Sequence, residues 1–338
     1  AAAYAYASLT AAVAAGDISS DEVRLLSPNT WRPLWRHALA AGEAATALAS
    51  VALRDGGPGA AGPLVPLIAV GTACGAGEDY PASGRVLLIE VRRTGTPPLA
   101  SAVPPVGAAP LTGDGAGWEA AVVYSRELRG PVTGLAALDG ALILSYGARV
   151  EGHGWAEGRL TRTAFYDAPL FATSLAVVKN FVLFADAHKG LRFLHCVSGV
   201  KNLIELSRDF DCADGLAAGY AVCGRRLALV LADGGGTLRA MSYDAAHPDS
   251  WRGKRLLPIA DVHVGVVSLV ALPARAPVPA GAPRTTASVL PRVDGGIGVL
   301  LPLWDAGLAS SLTSLSRAMA TGVAAPAGLH PAAFRSRG

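Results

Sequence analysis

The chain has 338 residues, of which 51% are apolar and 16% charged, with 40 glycines, 23 prolines and a formal net charge of +3. Such a balance excludes a disordered chain or a coiled coil and suits many short strands joined by tight turns. The small net charge also excludes a general electrostatic attraction to nucleic acid or membrane, so any such contact must be local.

The chain opens on Ala1 without a methionine and is read as a piece of something longer. Its first residues, AAAYAYASLTAAVAAG, lack the basic flank of a secretory signal, so 1–20 reads as an alanine-rich, disordered leader. VRLLSPNTW (23–31) is a strand running into a Ser-Pro-Asn turn. PLIAVGTAC and GRVLLIEV bracket Asp79 as two further strands, and a low-complexity insertion follows near 94–118.

From there a hairpin unit recurs. TGLAALDGALILSYGARV is centred on Asp139, FVLFADAHKGLRFLHC on Asp186, LALVLADGGGTLRAMSY on Asp233, and ASVLPRVDGGIGVLLPL on Asp294, Gly295 and Gly296. Asp and Gly suit the positive φ of tight hairpin turns, and the flanking runs are rich in Val, Ile, Leu and Phe. Successive aspartates stand 47, 47 and 61 residues apart, the last interval holding a Pro/Ala-rich insertion near 271–284. A four-stranded propeller blade takes roughly 40–50 residues. No amphipathic helix of the kind a βαβ unit needs occurs in 120–300, and a β-sandwich would not require the period. The fold class is therefore all-β: a β-propeller over 21–304 with about six visible blades of an expected seven.

After Trp304, Leu308, Leu312, Leu315 and Met319 form an apolar stripe at helical spacing, with Asp305 placed to cap it. Residues 305–338 are read as the start of a small helical domain.

Little in the sequence carries chemistry. No G-x-S-x-G, no phosphate-binding loop and no regular cysteine framework occurs. His195 and Cys196, neighbours on a strand, face opposite ways and make a poor pair of ligands beside His188. The four cysteines read as free, mostly buried thiols in a reducing compartment. No apolar run is long enough for a transmembrane helix. No catalytic residue, metal or cofactor is expected, and the chain reads as a scaffold without enzymatic activity. Asp139, Asp186, Asp233 and Asp294 could be taken for a ring of hydrolase carboxylates, but turn geometry accounts for them more simply. The candidate nucleic-acid contacts are Arg225 and Arg226 together with Arg252, Lys254 and Arg255 of WRGKR, with Trp251 and Tyr243 nearby.

Several stretches taken together resemble one family. VRLLSPNTW (23–31), IAVGTACGAGEDYPASGRVLLIEV (68–91), LRGPVTGLAALDGALILSYG (128–147) and AVVKNFVLFADAHKGLRFL (176–194) come first. ELSRDF (205–210), ADVHVG (260–265), DGGIGVLLPL (294–303) and AGLHPAAFR (327–335) follow in order. They are similar to the C-terminal propeller region of the largest cleavage and polyadenylation specificity factor subunit. That architecture is shared with a spliceosomal branch-site subunit and a ubiquitin-ligase adaptor that binds damaged DNA, and these sister families remain alternatives. The resemblance implies a nuclear scaffold of three propellers and a helical domain, of which this chain would be most of the third propeller. It implies a WD-repeat subunit and a zinc-finger subunit as partners, weak or indirect contact with pre-mRNA, no membrane and no cofactor.

Overall fold

A computed structural model describes residues 4–8, 21–75, 82–96, 106–111, 117–197, 201–277, 281 and 283–322. AGLHPAAFR (327–335) lies outside the described residues. The fold is all-β, of the β-propeller class, with one α-helix among the described residues. The chain divides into two compact units, residues 1–181 with 195–204, and 182–194 with 205–338.

In the first unit, β1 (Tyr4–Ser8), β2 (Glu22–Leu26) and β3 (Pro33–Ala38) make a three-stranded sheet. Part of the alanine-rich leader is thus a strand, paired antiparallel with β2 from Tyr4↔Leu26 to Ser8↔Glu22; the rest of 1–20 lies outside the described residues. The next sheet has β4 (Glu43–Arg54), β5 (Leu64–Cys74), β6 (Gly84–Arg93), β7 (Val106–Pro110) and β8 (Trp118–Leu128) in the order β4-β5-β6-β8-β7. β7 falls inside the first low-complexity insertion, as an edge strand paired with β8. β9 (Val132–Leu138), β10 (Ala141–Tyr146), β11 (Arg149–Ala156) and β12 (Arg159–Asp167) form an antiparallel meander.

Central strands here read as unbroken apolar runs because both faces are covered. On β6, Leu87 and Ile89 join a core with Val23, Leu25, Trp35 and Val70. Val86 and Leu88 join a second core with Val51, Leu53, Leu142, Leu144 and Trp155. Successive side chains point to opposite faces of a strand, so one sheet serves two cores, as stacked blades require. Trp155, fully buried, meets Tyr124 edge-on at 5.8 Å.

A further sheet has the order β13 (Ala172–Val178), β14 (Phe181–Asp186), β15 (Gly190–Cys196) and β16 (Leu203–Arg208). In the second unit, β17 (Gly215–Cys223), β18 (Arg226–Asp233), β19 (Thr237–Ser242) and β20 (Leu257–His263) form another meander. β21 (Leu272–Arg275), β22 (Thr285–Pro291) and β23 (Ile297–Leu300) join it where β22 pairs β17 at Val222↔Thr286 and Cys223↔Thr285. The core at this junction is Ala217, Ala232, Ala271 and Leu290. Small residues suit the close approach there: a Cβ on Gly219 would stand 2.6 Å from the Ala271 Cβ.

The repeat differs in register from the one that the aspartate spacing suggested. Asp186 and Asp233 both lie between the second and third strands of a blade, whereas Asp139 lies between the first and second. The counterparts of Asp139–Gly140 are Lys179–Asn180 and Gly224–Arg225, each a two-residue hairpin loop. Asp139, Lys179 and Gly224 hold φ values of 49°, 50° and 59°, the left-handed conformation that such loops need.

The helix α1 (Ala306–Gly322) starts where expected, with Asp305 Oδ1 accepting the Gly307 N–H at 2.8 Å. Its apolar stripe is exposed, and α1 contains no buried residue. The cysteines are free, yet only Cys196 is buried; Cys74 and Cys223 are half-buried and Cys212 is exposed. No helix among the described residues is long and apolar enough to cross a membrane.

Candidate nucleic-acid interface

The connection between β19 and β20 carries the WRGKR cluster. Pro248–Ser250 forms a short 3-10 turn capped by His247, whose Nδ1 accepts the Asp249 N–H. Ser250 is fully buried beneath it. Its Oγ donates to the His247 carbonyl at 2.6 Å and accepts the Gly253 N–H at 3.1 Å. The Ser250 carbonyl accepts the Arg255 N–H at 2.9 Å.

Between these anchors Trp251, Arg252 and Gly253 turn left-handed in succession, with φ of 52°, 60° and 83°. The two non-glycine residues cost roughly 1–2 kcal/mol each in that conformation. At Gly253 a Cβ would also be tight, 3.1–3.2 Å from Ala245 and the Tyr243 side chain.

A parallel bridge ties this knuckle to the end of β16. Arg208 N–H donates to the Lys254 carbonyl, and Leu256 N–H donates to the Arg208 carbonyl. Phe210 is thereby brought to Trp251, ring centroids 4.8 Å apart and 66° inclined. The Arg208 guanidinium lies 4.6 Å from the Phe210 ring and that of Arg255 5.4 Å from Trp251. The result is a row of cation, ring, ring and cation, in which Trp251 is 53% and Phe210 39% exposed. Arg252 and Lys254 are exposed and make no ion pair among the described residues.

Beneath the row, Arg239 is enclosed by Asp209 and Asp211 at 3.5 Å and Asp261 at 3.8 Å. Burial pushes the Asp209 carboxyl above its usual range, against the Asp211 N–H and the charges of Arg239 and Arg255. Asp209 and Asp211 thus pair with Arg239, while Glu205 lies 3.0 Å from Arg192 and 3.8 Å from Arg208 of the row.

Of the candidates named from sequence, the structure brings Arg255 onto Trp251, with Arg252 and Lys254 on the same turn. Arg225 and Arg226 lie at the β17–β18 turn, exposed, at the same end of the sheet. No hydrogen bond or ion pair joins them to the knuckle among the described residues. Arg208 and Phe210 were missed: their segment is 41 residues upstream of Trp251, and nothing local in S-R-D-F announces the bridge.

The turn aspartates are engaged with backbone. Asp186 Oδ1 accepts the His188 N–H, Asp233 Oδ1 the Thr237 N–H and Asp294 Oδ1 the Gly296 N–H. Asp139 and Gly295 take positive φ. In the first unit, a cleft of about 710 Å³ is lined by Glu43, Cys74, Arg85, Glu127 and Arg129. Burial raises the Glu43 carboxyl, yet Arg85, Thr72 and the Ala40 N–H together hold it below its usual range, as an ion-paired structural acid.

Blade-like sheets and turns closed by aspartate define a propeller-class chain, with a cationic–aromatic row exposed on it. The family model described as CPSF A subunit region matches residues 20–338, and the chain belongs to that family. It is 33% identical over 274 residues to the probable cleavage and polyadenylation specificity factor subunit 1 of Oryza sativa subsp. japonica. It is 34% identical over 272 residues to cleavage and polyadenylation specificity factor subunit 1 of Arabidopsis thaliana, and 27% over 278 to Protein cft1 of Schizosaccharomyces pombe. Each alignment covers 80% of this chain and 18% of the relative, so the chain spans less than a fifth of their length.

Proposed function

We propose that this chain is a propeller region of a scaffold subunit in nuclear mRNA 3′-end cleavage and polyadenylation, holding partner subunits and itself performing no catalysis. The observation that carries it is the family match across residues 20–338, with relatives named for that machinery. Supporting the scaffold role, the turn carboxylates that a hydrolase would use are bonded to their own hairpin amides. The blade region is assigned to 21–304 and the start of a helical domain to 305–338. The partners are a WD-repeat subunit and a zinc-finger subunit, and contact with pre-mRNA is weak and mainly electrostatic.

Affinity purification of the tagged chain from nuclear extract tests this. Recovery of cleavage and polyadenylation factors is the expected result. Recovery of cullin-ligase or branch-site components without them would transfer the chain to a sister family.

A further inference from the structure

We propose that Trp251 and Phe210, with Arg208, Arg252, Lys254 and Arg255 around them, form a base-stacking site for single-stranded RNA. The inference rests on the reading of the chain as part of an mRNA 3′-end processing assembly, and adds a recognition chemistry that charge alone does not give.

Three observations converge on it. First, about half of the Trp251 surface and two-fifths of the Phe210 surface are open to solvent. Second, the indole stands on the left-handed C-cap of the Pro248–Ser250 turn, which the bridge to Arg208 and the Ser250 hydroxyl fix in place. Trp251 and Arg252 stand in left-handed conformations unfavourable to both, and buried Ser250 bonds to either side of them. Third, Arg252 and Lys254 have no carboxylate partner among the described residues, while Asp209 and Asp211, on the segment that carries Phe210, pair with Arg239.

An unpaired base supplies what such a surface lacks. Its π-face covers the open part of the indole, and the adjoining phosphates neutralise Arg252 and Lys254. Stacking of this kind tolerates any base, since each has a flat face. Arg208 and Arg255, lying over the rings, add cation–π support and hold them in place. A protein partner rich in acidic residues would satisfy the cations but leave the exposed rings without a flat counterpart.

The test compares two labelled probes of equal length and charge, a short oligouridylate and its abasic counterpart, binding the purified 338-residue chain by fluorescence anisotropy. The base-bearing probe is expected to bind about 5- to 100-fold more tightly, the range that stacking on one or two aromatic side chains gives. Trp251→Tyr should keep most of that margin. Trp251→Asn, which tolerates the left-handed backbone, should erase it and leave the abasic probe unaffected. Arg252→Gln should weaken both probes equally. Equal affinity for the two probes in the wild type would overturn the proposal, as would an unchanged margin in Trp251→Asn. So would Trp251-dependent binding of a polyglutamate peptide tighter than that of the RNA. If the probes bind alike while cleavage factors still co-purify, only the stacking site is refuted. If stacking is seen without those factors, the assembly reading fails and the site stands.

Discussion

Acidifying the protein below pH 4.5 should remove about 3 kcal/mol of stability through one carboxylate, Glu151. This side chain on β11 is 1% exposed, beside His153 at 0%. Its Oε1 accepts the Tyr146 hydroxyl at 2.8 Å and Arg162 Nη1 at 3.2 Å, while Oε2 lies 3.0 Å from His153 Nε2. Burial alone would raise its pKa; the hydrogen bonds from His153, Tyr146 and Arg162 outweigh it and lower the value from 4.5 to about 2. Each unit of such a difference is worth about 1.4 kcal/mol. Because the folded value is the lower one, the contribution is complete above pH 4.5 and disappears as pH falls toward 2. Arg162 is half-exposed, so most of the effect comes from Tyr146 and His153. Urea unfolding followed by far-UV circular dichroism at pH 7, 4.5 and 3 gives the measurement, with Glu151→Gln alongside wild type. Glutamine resembles the protonated acid, so the variant should be weaker by about 3 kcal/mol at pH 7 and converge on wild type as the pH drops. Parallel pH profiles for the two proteins would refute the assignment.

Other substitutions should separate strained, buried and exposed positions. Gly140→Ala places a Cβ 2.7 Å from that of Arg54 at a φ of +77°, and should lower stability by roughly 1–3 kcal/mol in thermal unfolding. Trp155→Ala empties a fully buried site and should cost about 3–5 kcal/mol by urea titration. Leu312→Lys, on the exposed stripe of α1, should change the same transition by less than about 0.5 kcal/mol. Replacing Arg252 and Lys254 together by Gln should flatten the slope of log affinity against log salt by about 0.7 per lost phosphate contact; an unchanged slope would show that neither touches the backbone.

What the sequence disclosed follows from how local each signal is. Asp-Gly and Asp-Gly-Gly-Gly between apolar runs mark hairpins because turn and strand chemistry sit within a few residues of each other. The loop at Lys179–Asn180 carries no turn signal, because lysine has no preference for the left-handed conformation it adopts, and the aspartate spacing therefore puts Asp139 one hairpin out of step. β7 and β21 were hidden in Pro/Ala-rich stretches; both are edge strands, where proline is tolerated on the unpaired side. The basic half of the candidate site was legible as a cluster, WRGKR. Trp251 was legible beside it; Phe210 was not, since it reaches Trp251 only through a bridge between distant segments. The reverse holds for α1, whose stripe and cap were plain in sequence while its exposure depends on tertiary surroundings.

Ser250 has a consequence for how quickly anything can dock on the knuckle above it. A loop that must first find its bound shape gives up conformational freedom at the moment of contact, and its association slows or weakens accordingly. Here one hydroxyl, closed off from solvent and bonded to both His247 and Gly253, has frozen the turn before any partner arrives. The freedom is surrendered during folding, so encounter requires no rearrangement of the backbone. Ser250→Ala would release that freedom while leaving every outward-facing side chain in the sequence unchanged, converting a rigid landing surface into a supple one.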